Sequence, residues 1–134
     1  MRSFLLLYFF SLFGLIYSFQ KKPMDKSLKD GSIIYEDFCI QCHGPNGKGL
    51  TKKIPPLDNS DFLLNINKSI SIIKYGAKGP IVVNNKKYDG NSMISQGLDD
   101  EEVSDVLNYI RNNWGNSHKK QINIDLVNNV KKPI

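Results

Sequence analysis

One pentapeptide constrains this chain of 134 residues more than anything else in it. Cys39-Ile40-Gln41-Cys42-His43 holds both of its cysteines. The pattern C-x-x-C-H is the attachment signature of a c-type haem. Two thiols so spaced on one helical turn can add to the two vinyl groups of a single porphyrin as thioethers. His43 then lies under the ring, where its imidazole reaches the iron. A group held this way brings its own redox chemistry, and the protein contributes tethering, axial ligation and burial. Two other chemistries use a cysteine pair. A redox dithiol of the thioredoxin kind calls for a strand before the motif, and the preceding residues read as helix. Structural zinc takes four N/S ligands and usually pairs one C-x-x-C with a second ligand pair. The remaining histidine, His118, lies far along the chain with no such pair around it.

The length allows one small domain. Small domains bury a modest share of their surface and gain from a staple, which a covalent porphyrin supplies. With 40% apolar and 23% charged residues, the composition is globular. The net charge of +5 is spread over short Lys-Lys pairs with no long basic run. That argues against a nucleic-acid partner and for a diffuse positive surface that meets acidic redox proteins.

Residues 1–19, MRSFLLLYFFSLFGLIYSF, join a positive start at Arg2 to an apolar run and end near the small residue Ser18. This is the shape of a secretory signal peptide. The run falls short of the ~20 apolar residues of a membrane span. Ile16, however, stands where a cleavage site prefers a small residue, so an uncleaved membrane anchor is the alternative. On either reading the chain is exported, periplasmic or membrane-anchored facing the periplasm. Residues 20–27 read as a linker around Pro23, and Met24 within it is a poor candidate ligand. Residues 28–42 set Ile33, Ile34, Tyr35, Phe38 and Cys39 at helical spacing, with Ser27 or Asp30 near the start. Gly31 inside such a helix costs ~1 kcal/mol relative to alanine. It either starts the helix or lets another helix come close.

A glycine-rich loop follows His43. It lacks the G-x-x-x-x-G-K-[ST] spacing of a phosphate loop. In Ile54-Pro55-Pro56-Leu57, consecutive prolines exclude helix. Such an extended segment can hold a backbone carbonyl against the His43 ring N–H and so fix its tautomer, with Leu57 against the ring. Ser60 is placed to cap a short helix over 61–65, and 68–75 predict a second, stopped by Gly76, Gly79 and Pro80. Residues 81–92 read as a loop with a hairpin-like turn at Asn84-Asn85, in which Val82 and Val83 are at most a strand fragment.

Met93 comes next. A thioether suits haem iron opposite a histidine and raises its potential. The plainer account, a methionine filling a core gap, finds no support in the polar Asp89-Gly90-Asn91-Ser92 before it. His118 reads as solvated. Asp99 and Glu102 form a capping box for a helix whose Val103, Val106, Leu107 and Ile110 share one face. Arg111 lies near its end, Gly115 can terminate it, and Trp114 packs on the core or, as the alternative, on the ring edge. Residues 121–132 predict a short amphipathic helix with Val127 and Val130 apolar.

In this order, CIQCHGPNGKG, IPPL, YGAKGP, YDGNSM and LDDEEVSDVLNYIRNNWGN resemble the monohaem class I c-type cytochromes over residues 28–116. The resemblance implies an all-α fold of four to five short helices wrapped around one covalent haem c. The cytochrome c domain is then 28–116, and 117–134 is a C-terminal extension with a short helix. It also implies thioethers at Cys39 and Cys42 and iron ligation by His43 and Met93. The carbonyl on His43 comes from Pro55 or Pro56, the P-x-L spacing favouring Pro55, and Leu57 completes the haem contacts. The family crosses its first and last helices at a glycine and an aromatic that match Gly31 and Tyr35, which would meet Val106 and Tyr109. Many relatives have proline after the distal methionine; here Ile94 leaves that loop less stiff. NYIRNNWGN followed by a short helix resembles cytochrome domains that serve periplasmic dehydrogenases or are fused to copper nitrite reductases.

The function so implied is one-electron transfer with no catalytic residue. Iron held by His43 and Met93 has no open position for substrate. The partners implied are redox proteins: a dehydrogenase, a reductase or a respiratory oxidase. Lys48, Lys52, Lys53, Lys74, Lys78, Lys86 and Lys87 lie in segments that border an exposed ring edge. They either steer acidic partners or form a solvated surface. The rival is a haem enzyme or sensor of the peroxidase kind, which needs a displaceable Met93.

Overall fold

Two helices cross at a glycine, and the other elements are arranged around that crossing. In this computed structural model, residues 22–89 and 92–133 are described. The signal or anchor reading of 1–19 lies outside them, as do Gln20, Lys21, Gly90, Asn91 and Ile134. Helix α1 spans Met24–Phe38, with Pro23 at its N-cap. It therefore takes in Met24–Ser27, which the sequence places in a linker. The reason is tertiary. Ser27 is buried, its hydroxyl donates to Asp105 at 2.6 Å and it accepts from Asn108 Nδ2 at 2.9 Å. After a break at Cys39, α2 covers Ile40–His43.

A 3-10 turn, Asp61–Leu64, leads into α3, Ile66–Tyr75. Ser60 stands at the N-cap of the 3-10 turn, as read, but its side chain makes no capping bond, whereas Asn65 caps α3 by accepting from Lys68 N at 3.1 Å. Strands β1 (Ile81–Val83) and β2 (Lys86–Tyr88) pair antiparallel, with Ile81 opposite Tyr88. Asn84 and Asn85 have φ of 50° and 59°, the left-handed pair that a two-residue hairpin needs. The hairpin-like turn is present, and short strands flank it: Val82 and Val83, read as no more than a strand fragment, lie in β1, and β2 falls where the sequence reads loop. Helix α4 is Asp100–Arg111. Asp99 accepts from Glu101 N and Glu102 N, and Glu102 accepts from Asp99 N, so the capping box is complete. The last helix, α5 (Ile124–Asn129), is capped by Asn123.

α1 packs on α4 at Gly31. A Cβ there would meet the Asp105 carbonyl, 2.6 Å from its carbon, and Tyr109 Cβ at 2.9 Å. Tyr109 is met as read, while Asp105 takes the place read for Val106. Asp105 and Tyr109 stand four apart on one helical face, whereas Val106 is turned inward. The core combines Ile34, Tyr35, Leu63, Ile70, Ile73, Val103, Val106, Leu107, Ile110, Ile122 and Val127. The architecture is the small all-α one expected, with one two-stranded hairpin added. Among the described residues no helix is long and apolar enough to cross a membrane.

The start of α1 is clamped by charge. Lys22 Nζ pairs with Asp30 at 2.6 Å and Glu101 at 3.0 Å, and also with buried Asp105. Burial works to lower the Lys22 pKa, but hydrogen bonds to Asp105, Asp30 and Glu101 outweigh it and raise it. The same bond to Lys22 holds the Asp30 carboxyl below its ordinary range. A depressed carboxyl contributes stability that is complete above its unfolded pKa and lost as pH falls through its folded one. Between about pH 6 and pH 3 the denaturant midpoint should therefore drop. A Lys22→Met variant should start less stable yet lose less on acidification. Equal acid losses in the two proteins would show that this cluster carries none of the effect.

Candidate functional site

The inward face of α4 forms one wall of a cleft of about 230 Å³. Val106, Leu107 and Ile110 line it, because the period of α4 puts them on the face opposite to solvent. Ile72 and Ile73 of α3, Phe62 and Leu63 of the 3-10 turn, Val83 and Tyr88 of the hairpin, and Leu98 complete the apolar walls. Into this cleft come Cys39, Cys42 and His43 from the α1–α2 junction, Pro55 and Leu57 from the proline segment, and Met93. All six residues singled out in the sequence border one cavity. Met24, Trp114 and His118 are not among its lining.

Backbone and aromatic packing fix the motif. Cys39 N donates to the Tyr35 carbonyl at 2.9 Å, and His43 N to the Cys39 carbonyl at 3.0 Å. Tyr35, 1% exposed, donates its phenol O–H to the Gly44 carbonyl at 2.7 Å. The end of the motif is thereby tied back to α1. Behind Tyr35 stand Trp114, with ring centres 4.8 Å apart, and Tyr109 at 5.6 Å. Trp114 thus packs in the core, as expected. The proline segment is held from α4's end: Asn116 Nδ2 donates to the Leu57 carbonyl at 2.7 Å and the Ile110 carbonyl at 3.0 Å. Asn116 carries no sequence signal beyond its place in a turn. On the far side Met93 makes a two-bond bridge with Ala77. Ala77 N donates to the Met93 carbonyl at 2.8 Å, and Met93 N to the Ala77 carbonyl at 3.0 Å.

Electrostatics sort the candidate chemistries. Burial pushes the His43 imidazole below its ordinary pKa, and the Pro55 carbonyl works against that burial. Pro55 is close enough to act on the ring but not in hydrogen-bond geometry, since Nδ1 is buried without a partner. Cys39 is pushed up to about 11, by burial first and by Cys42 second. A redox dithiol needs the opposite, a depressed thiol. Among the described residues no three His, Cys, Asp or Glu side chains gather to hold a metal ion, so four-ligand zinc has no place here. One imidazole, one thioether and two thiols around an apolar slot suit a flat apolar group that brings its own metal. His118 is half-buried, with its pKa lowered by burial and then by the Arg111 charge; its surroundings are less solvated than the sequence implies.

Lys74 departs from the surface role read for it. It pairs with Asp100 at 2.7 Å and donates to the Val127 carbonyl at 3.1 Å. Lys48, Lys52, Lys53, Lys78, Lys86 and Lys87 are exposed. The wall residues Phe62, Leu63, Ile72, Ile73, Val83, Tyr88 and Leu98 went unread as site residues. In sequence they are apolar positions like any others of the core.

The family model for cytochrome c matches residues 28–114. The chain belongs to the cytochrome c family. This cytochrome is 35% identical over 95 residues to cytochrome c-552 of Thermus thermophilus, a match covering 67% of the chain and 72% of that protein. It is equally similar to a second cytochrome c-552 of Thermus thermophilus, of which 64% is covered. It is 29% identical over 90 residues to the cytochrome c subunit of the quinone alcohol dehydrogenase of Gluconacetobacter polyoxogenes, of which it spans 19%. The family carries covalently bound haem c, and its work is haem-based electron transfer.

Proposed function

We propose that this cytochrome carries one electron at a time outside the cytoplasmic membrane, on a single haem c. In this reading Cys39 and Cys42 form the thioethers, and His43 and Met93 are the axial ligands. The observation that carries it is the convergence of those four side chains, from separated stretches of chain, on one apolar cleft. The haem supplies a one-electron redox centre whose potential a Met/His pair raises. The protein's part is to position and to exclude water. Leu57, Leu63, Val106 and Ile110 cover the group with apolar atoms. The Pro55 carbonyl, which lies beside the buried and unpartnered His43 Nδ1, is the acceptor that would orient the imidazole. With both axial positions filled by protein, the molecule is a carrier rather than an enzyme. The apolar run of residues 1–19 supports export, with the domain periplasmic or held facing the periplasm by that segment. The partners are redox proteins, and the likeness to a dehydrogenase's cytochrome subunit favours a dehydrogenase as donor. Exposed Lys48, Lys52, Lys53, Lys78, Lys86 and Lys87 offer it a positive surface.

The test is the spectrum of the ferric protein. Sulfur ligation gives a weak near-infrared band, and Met93→Ala should abolish it. The reduction potential should fall by on the order of 0.1 V or more, within the about 0.8 V that axial ligands span. His118→Ala should leave both unchanged. A band that survives in Met93→Ala would sink the assignment. Ready binding of carbon monoxide or cyanide to the parent protein would point to the peroxidase-like alternative.

A further inference from the structure

Ile94 gives the methionine loop none of the stiffness of a proline, so whatever holds Met93 comes from elsewhere in the fold. The loop is docked on the end of α3. Ala77 and Met93 exchange two backbone hydrogen bonds, and Ser95 Oγ donates to the Lys74 carbonyl at 2.6 Å. Gly76, at φ 78°, lies so near that a Cβ on it would be 2.5 Å from the Met93 carbonyl oxygen. A helix end has carbonyls without intrahelical partners and frays readily. This one is held from its other side. Lys74 is paired with Asp100 at the start of α4 and donates to the Val127 carbonyl of α5, while Tyr75 donates its phenol O–H to the Val130 carbonyl at 2.9 Å. Val127 is fully buried, so the far end of the brace is anchored in the core.

We propose that Lys74 and Tyr75, braced by the C-terminal helix, are positioning residues for Met93 that set how firmly its thioether stays on the iron. This rests on Met93 being the axial ligand. An incoming ligand would have to displace the Met93 thioether, which comes away more readily when the Ala77–Met93 bridge holding its backbone opens. Its apparent affinity is reduced by the fraction of time the loop is open. Loosening the surface that receives the loop raises that fraction.

The experiment uses the haem-loaded full chain and three variants: Tyr75→Phe, Lys74→Met and the control Gln121→Ala. Gln121 Nε2 donates to the Lys22 carbonyl at 2.9 Å, so the control removes a bond of the same class from the same extension without touching α3. Tyr75→Phe should tighten imidazole binding to the ferric protein by roughly fivefold, the factor set by one hydrogen bond's net worth. Lys74→Met should do more, and the control should match the parent. Amide exchange at Ala77 and Met93 should quicken in the two brace variants only. Unchanged exchange, or a control that behaves like them, overturns the brace. A parent without the sulfur–iron band but with quickened exchange in the variants overturns Met93 ligation instead and leaves the brace standing.

Discussion

Replacing Gly31 by alanine should lower the melting temperature by roughly 10 °C, at about 4–8 °C per kcal/mol for a domain of this size. Helix propensity alone argues the other way: glycine to alanine in a helix interior gains about 1 kcal/mol. The crossing reverses the sign. The added methyl carbon would run into the Asp105 carbonyl and lie 2.9 Å from Tyr109 Cβ. Backbone cannot rotate aside as a side chain can. Asp105 is also held in place by Ser27 and by Lys22, so α4 resists moving locally. Overpacking costs about 1–3 kcal/mol and occasionally more, and an obstacle made of backbone places this case at the upper end. A net loss of about 2 kcal/mol remains after the propensity gain. Thermal melts followed by circular dichroism decide it. A melting temperature that rises would mean that α1 and α4 do not approach each other this closely.

What could be read from the sequence follows the range of the interactions. The capping box was legible because Asp99 and Glu102 are three residues apart and complete each other. The Asn84-Asn85 turn was legible because each asparagine tolerates positive φ by itself, but of the flanking strands only Val82-Val83 gave a hint, since Lys86 and Lys87 on an exposed edge give no alternation to detect. The start of α1 was missed because its partners Asp105 and Asn108 are 78 and 81 residues from Ser27, beyond any local signal. Gly31's partner was placed on the neighbouring residue of α4, since spacing identifies a helix but leaves its rotation to packing. Lys74 looked like surface for the same reason: Asp100 and Val127 come to it only in the fold. Cys39, Cys42, His43 and Met93 stood out because thiol, imidazole and thioether are scarce and chemically distinct, and Pro55 and Leu57 because consecutive prolines exclude helix. The walls between them did not, since Leu63 or Ile73 facing a cofactor is the same residue as one facing core.

That identity of wall and core sets the largest effect expected. A Cys39→Ser/Cys42→Ser double variant, expressed and purified as the parent is, should carry no covalent porphyrin by mass and should melt without a sharp transition. The substitutions are themselves mild. Cys42 is exposed and Cys39 is only partly buried, and serine fits where cysteine does. The damage comes from what is no longer held. Leu63, Ile73, Val106, Leu107 and Ile110 belong to the core and also line the cleft. With no group between them, these five face water or a void on one side and lose the contacts that side supplied. Each of the five stays under a tenth exposed around the cleft, so the loss is that of an unfilled cavity of about 230 Å³, which at ~24 cal/mol per Å³ costs on the order of 5 kcal/mol. A small domain's whole stability begins at about 5 kcal/mol. Single variants keep one thioether and should fall between parent and double variant in both mass and melt. A double variant that is free of porphyrin and still unfolds as cooperatively as the parent would show that the helices close their core unaided, and the cleft would then need another occupant.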